Sequence, residues 1–157
     1  MRCHLELAVQ AWSPWTKHDI DLIESVQKRA IRNIRGLNGS YEEKLKQIGL
    51  TTLSQRRCRG DMLQMYKILN KVDDVNPETW FKPLHSRQTN ATRSSTFITP
   101  EGAELNTLNV VKPKARLELR RNFFSHRVVD KWNSLPFYLQ TASSVNHFKS
   151  SYDRYFT

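Results

Sequence analysis

The sequence predicts a mainly α fold, an irregular assembly of about five to six helices interrupted by a long polar loop near residues 83–109. Three observations carry that expectation. Serine, threonine or asparagine recurs just ahead of stretches with helical apolar spacing, three times with an acidic or amide residue three positions on. Glycine follows two of those stretches, as a left-handed helix stop requires. The polar stretch between the halves has few apolar residues from which to build anything.

Residues 4–12 read as the end of a helix with Leu5, Ala8, Val9 and Trp12 near one face, stopped by Ser13-Pro14. Thr16 and Asp19 have capping-box spacing and open a helix to about Arg35, with Ile20, Ile23, Val26, Gln27, Ala30 and Ile34 as its buried stripe and Gly36 as its stop. Ser40 and Glu43 start a short helix over Tyr41 to Ile48, ended by Gly49. Thr52 and Gln55 open a longer one to about Asn70, with Leu53, Met62, Leu63, Met65, Tyr66 and Leu69 at its apolar positions. Asn76-Pro77-Glu78 signals a further short helix ending near Phe81. Beyond Pro83 the polar loop begins, with Phe97-Ile98 and Val110-Val111 as short strands or anchors. Two helices close the chain, Leu119 to Asn133 and Ser144 to Phe156, the second capped by Ser143 or Ser144 and buried through Val145, Phe148, Tyr152 and Tyr155. The regions expected are a thumb-like helical part at 1–82, a variable polar part at 83–111 and a basic C-terminal part at 112–157.

Composition limits the function. The chain has 157 residues, enough for one domain that buries roughly two-thirds of its unfolded surface. Lysine and arginine number 25 against 15 acidic residues, a net charge of +10, and this favours a polyanionic partner. The two cysteines, Cys3 and Cys58, form neither a disulfide framework nor a metal-ligand spacing, so a reducing intracellular compartment, nucleus or cytoplasm, is the default. No signal peptide or membrane span is expected. Asn38-Gly-Ser and Asn90-Ala-Thr match the glycosylation sequon, which has no meaning without secretion.

The cations fall in three clusters: Lys28, Arg29, Arg32 and Arg35; Arg56, Arg57 and Arg59; and Lys112, Lys114, Arg116, Arg120, Arg121 and Arg127. The last lies in KPKARLELRRNFFSHRVVDKWNSLP, where Phe123, Phe124, Val128, Val129 and Trp132 alternate with the charges. On one helix this is a packing face beside a face for phosphate, with the aromatic residues assigned to packing. Arginine in the first turns of a helix opposes the macrodipole, so the 56–59 cluster is either a solvated face or a site whose anion offsets that cost. Catalytic chemistry has little support. The adjacent carboxylates Asp73-Asp74 follow a helix end, which suits a turn better than a two-metal site, and Asp19 and Asp21 point apart on a helix. His4 has no partner at zinc-ligand spacing, His126 sits amid the basic segment, and neither a nucleophile elbow nor a phosphate-binding glycine loop is present. No catalytic residue, metal site or cofactor is expected.

Three stretches, in order, resemble the C-terminal part of the reverse transcriptases of non-LTR retrotransposons, of the jockey-like or chicken-repeat LINE type. They are HLELAVQAWSPWTKHDIDLIESVQKRAIRNIRGL from His4, SYEEKLKQIGLTTLSQRRCRGDMLQMYKILN from Ser40, and RRNFFSHRVVDKWNSLP from Arg120 with V-N-x-F-K at Val145 to Lys149. The resemblance implies helices that support RNA or DNA during target-primed reverse transcription, next to an upstream polymerase domain carrying the catalytic aspartates. It implies no polymerase activity in this chain alone. An inactive truncated remnant, or a helical protein-interaction module, is the alternative.

Overall fold

The computed structural model describes residues 5–84 and 108–156. Among these the chain is mainly α, with one isolated antiparallel bridge, Pro83 to Val110, in place of any strand. The polar stretch 85–107, with Phe97-Ile98 and Asn90, lies outside the described residues, as do Cys3 and His4. The chain divides into two compact units, Met1–Asp61 and Met62–Thr157, so the region expected at 1–82 is shared between them.

In the first unit α1 covers Val9–Trp12, starting after Ala8, whose backbone is left-handed (φ 52°). Helix α2 runs Lys17–Arg32 behind Thr16, whose hydroxyl accepts the Asp19 N–H at 3.2 Å. The capping box there is modified: the Asp19 carboxylate takes the Thr16 hydroxyl proton at 2.6 Å, because aspartate is one methylene shorter than the usual glutamate. The helix ends three residues before the expected Arg35. Asn33 and Ile34 donate to the carbonyls of Ala30 and Ile31, three residues back, which tightens the last turn, and Gly36 takes the expected left-handed conformation (φ 86°) beyond it.

Helix α3, Tyr41–Gln47, has the full predicted box: Ser40 N–H to Glu43 at 2.7 Å and Glu43 N–H to the Ser40 hydroxyl at 3.3 Å. Those bonds hold the exposed Glu43 carboxyl below its usual pKa, the Ser40 backbone N–H first. Gly49 (φ 63°) closes α3, and Leu50 N–H reaches back to the Leu45 carbonyl at 2.8 Å. Helix α4, Leu53–Leu69, opens on the predicted Thr52–Gln55 box. It closes the way α3 does, with Lys71 (φ 54°) in the left-handed position and Val72 N–H on the Lys67 carbonyl at 2.9 Å. A lysine there carries no glycine signal in the sequence.

The buried stripe of α2 differs from the expected one. Glu24, Gln27 and Ile31 are buried, Ile20, Ile23 and Val26 are half-buried, and Ala30 and Ile34 are exposed. Two polar side chains lie inside because both have partners. The Glu24 carboxylate accepts the Tyr41 hydroxyl and the Leu53 N–H at 3.1 Å. Gln27 Nε2 donates to the Tyr41 hydroxyl at 3.0 Å and to the Thr51 carbonyl at 3.1 Å. Glu24 thus supplies an acceptor and a negative charge at the N-terminus of α4, where unpaired N–H groups and the helix dipole favour both.

The second unit is built around the C-terminal half of α4. Met62, Met65, Tyr66 and Ile68 pack in one cluster with Phe81, Val110, Phe124, Val128, Val129, Trp132, Leu135, Leu139, Phe148 and Tyr152. Helix α5 is Pro77–Trp80, capped by Asn76 as predicted. Val110-Val111 act as an anchor: Val111 N–H bonds the Lys82 carbonyl at 2.8 Å and Leu84 N–H the Asn109 carbonyl at 2.9 Å, pinning together the chain on either side of 85–107. Side-chain amides hold that anchor. Asn133 pairs with the Val110 backbone through both its amide atoms, at 3.1 and 2.9 Å, and the Trp132 indole N–H bonds the Leu108 carbonyl at 2.9 Å.

The expected continuous helix from Leu119 to Asn133 is instead α6 (Glu118–Arg121), α7 (Phe124–Arg127) and α8 (Val129–Asn133). The backbone of Phe123 is extended (φ −65°, ψ 149°) and breaks the ladder. Beyond that break Phe124, Val128 and Trp132, four positions apart on one face, are buried together with Ser125, His126 and Val129. Helices α9 (Phe137–Gln140) and α10 (Val145–Phe156) complete the chain. Ser144 is the cap, its hydroxyl accepting the His147 N–H at 3.1 Å, while Ser143 contacts the His147 ring. Phe148 and Tyr152 are buried as expected, whereas Tyr155 is exposed.

Candidate nucleic-acid interface

The three cationic clusters meet different fates. On α2 the Lys28, Arg29 and Arg32 side chains are exposed, with Arg35 exposed in the turn beyond, and Lys28 lies 5.3 Å from the Tyr41 ring centre. On α2 Arg29 lies opposite the buried Glu24, Gln27 and Ile31, and Lys28 and Arg32 flank that inner face.

In the second cluster Arg57 alone is buried, while Arg56 is exposed and ion-paired. Arg56 forms a two-pronged ion pair with Glu6, its Nη2 at 2.7 Å from Oε2. Arg57 is only 5% exposed. Burial lowers its pKa, and the charges of Glu24, Asp61 and Glu6 oppose that shift. Arg59 is half-buried. The anion that offsets arginine at the start of α4 is therefore internal, and the sequence alone has no means of pairing Arg56 with a carboxylate 50 positions away.

In the third cluster Lys112, Lys114, Arg116, Arg120 and Arg121 are exposed and Arg127 is half-buried. Lys112 pairs with Asp130 at an exposed position, where such a pair contributes little. Arg121 Nε donates to the Ala115 carbonyl at 3.1 Å, and an Arg127 guanidinium nitrogen to the Asn122 carbonyl at 3.1 Å. The second bond spans the extended Phe123, and with the helix interrupted there the cations do not line one helix side as a continuous helix would place them.

Arg120 and Arg127 also cover aromatic rings, at 5.5 Å from the Phe123 centre and 5.7 Å from that of Phe124. Phe124 and Trp132 are buried as expected, but Phe123 is 40% exposed and lies nearly parallel to Trp80, itself 38% exposed. Phe123 is thus a surface residue, not the packing residue that its place beside Phe124 suggested.

Arg120 is steered from beneath. Its Nε donates at 3.1 Å to Nε2 of His126, a ring only 2% exposed. Burial, then the charges of Arg120 and Lys112, lower the His126 pKa below its ordinary value, so the ring is neutral at pH 7 and free to accept. The unfolded chain takes up this proton near pH 6.5, while the folded chain resists until lower pH. The contribution is whole above about pH 6.5 and is lost as pH falls toward the depressed folded value. Urea midpoints are expected to fall from pH 7 toward pH 5, with a weaker dependence in His126→Gln; equal slopes in the two proteins would contradict this account.

No protein-family model, curated protein or solved structure matches this chain. The site is therefore described by its own chemistry. Among the described residues no group of three histidine, cysteine, aspartate or glutamate side chains could hold a metal ion. Asp73, of the adjacent carboxylate pair, accepts from Gln64 at 2.7 Å. No helix among the described residues is long and apolar enough to cross a membrane.

Proposed function

We propose that this chain is the helical C-terminal part of a non-LTR retroelement reverse transcriptase, which holds RNA or DNA beside a separate upstream polymerase domain and does not catalyse polymerisation itself. The observation that carries the reading is the exposure of two cationic groups, Lys28, Arg29, Arg32 and Arg35 on and beyond α2, and Lys114, Arg116, Arg120 and Arg121 in the basic segment. The resemblance in sequence order supports the retroelement assignment, and guanidinium groups suit phosphate.

Filter binding to an RNA–DNA duplex tests it. If about five phosphates are neutralised, the log–log dependence of affinity on salt has a slope of about −4 to −5. Arg32→Glu and Arg116→Glu are each expected to weaken binding and make that slope shallower by about 1, with far-UV circular dichroism unchanged. Undetectable or salt-independent binding would sink the reading.

One observation favours the protein-interaction alternative. The first unit has an open apolar cleft of about 140 Å³ lined by Leu5, Val26, Ala30, Ile31, Ile34 and Leu50, with the buried Gln27 Oε1 lacking a hydrogen-bond partner beside it. Dimerisation of the purified chain, without nucleic-acid binding, would favour docking on another protein through this face.

A further inference from the structure

The aromatic group at the start of the basic segment has a use that packing does not explain. Trp80 on α5 and Phe123 at the α6–α7 break are 38% and 40% exposed, yet their rings are held within 8° of parallel with centres 6.3 Å apart. Beneath them Phe124, 3% exposed, meets Trp80 and Phe81 edge-on with ring centres 6.3 and 6.0 Å apart. The exposed pair therefore stands on a rigid base, and its orientation is set by the core. Leaving two large rings this open forfeits burial that either could have contributed.

Charge identifies the complement. The Arg120 guanidinium lies over Phe123 and that of Arg127 over Phe124, and Arg120 is held in place by the neutral His126 acceptor. An apolar protein side chain would gain nothing from two guanidinium groups on the ring cluster. A ligand with a planar π face and an attached anion satisfies both, and a nucleotide of a single strand is such a ligand. In a duplex the bases are stacked on one another, so their faces cannot reach Trp80.

We infer that Trp80 and Phe123 form a stacking platform for an unpaired base of single-stranded nucleic acid, with Arg120 held by His126 to meet the adjoining phosphate. The inference rests on the nucleic-acid reading above and deepens it by naming the strand state this surface takes. Arg120 here is a phosphate contact and His126 a positioning residue.

The test compares oligothymidylate of about 12 nucleotides with an abasic strand of equal length, which keeps the phosphates and removes the bases. The intact chain is expected to bind oligothymidylate about tenfold more tightly than the abasic strand. Trp80→Leu and Phe123→Leu should each remove most of that preference. His126→Gln is expected to weaken binding of both strands and alter the pH profile below pH 6.5, since it releases Arg120. Equal, salt-dependent affinity for the two strands would overturn the platform and leave the nucleic-acid reading standing. Absence of binding to either strand and to the RNA–DNA duplex would end both. The strand comparison needs no variant, so an unfolded Trp80→Leu protein does not spare the proposal.

Discussion

Glu24→Ala is expected to destabilise the first unit by about 3–5 kcal/mol, the usual result of removing one side of a buried charge arrangement. Glu24 is 7% exposed and accepts from the Tyr41 hydroxyl and the Leu53 N–H, so alanine strands two donors from different elements. It also removes the acid that does most to support the buried Arg57 guanidinium, one of whose terminal nitrogens, Nη1, has no hydrogen-bond partner. Glu24→Gln keeps an acceptor and loses the charge, and should cost less. Urea denaturation of the two variants beside the parent chain measures the difference. A Glu24→Ala midpoint matching the parent would show that α2, α3 and the start of α4 do not depend on this carboxylate.

Trp132→Ala is expected to cost about 3–5 kcal/mol in the second unit. The indole is fully buried, with its centre 6.2 Å from that of Phe148, whose ring in turn stacks on Tyr66 at 4.6 Å. Beyond the cavity, the substitution orphans the Leu108 carbonyl that accepts the indole N–H at 2.9 Å. Trp132→Phe separates the two effects, since it retains most of the ring and loses only the hydrogen bond and some volume; about 1–3 kcal/mol is expected for it. Guanidinium denaturation followed by circular dichroism checks both. Equal losses for alanine and phenylalanine would assign the whole effect to the Leu108 bond rather than to packing.

These two residues bear on function through position. Glu24 and Gln27 fix the inner face of α2, which leaves Lys28, Arg29 and Arg32 outward. Trp132 belongs to the core that seats Phe124, on which the Trp80–Phe123 pair stands. Loss of either residue should therefore lower nucleic-acid affinity in proportion to unfolding, whereas Arg32→Glu and Arg116→Glu act on folded protein. Measuring affinity and stability on the same variants distinguishes these routes.

What the sequence determined by itself is the set of features with partners a few residues away. The boxes at Ser40–Glu43 and Thr52–Gln55, the Asn76 cap and the Gly49 stop stand where spacing placed them, because each depends on atoms within one helical turn. Apolar residues with helical periodicity also led to Met62, Met65, Tyr66, Phe148 and Tyr152 in the core. Tertiary structure decided the rest. Glu24 is buried because Tyr41 and Leu53 come to it, Arg56 is paired at the surface with Glu6, and Tyr66 is anchored on the Ala142 carbonyl at 2.6 Å. The break at Phe123 belongs with these, since no local signal marks the extended residue that leaves Phe123 on the surface and starts the buried Phe124, Val128 and Trp132 face anew. Polar burial and helix breaks follow from partners distant in sequence, and local pattern carries no information about them.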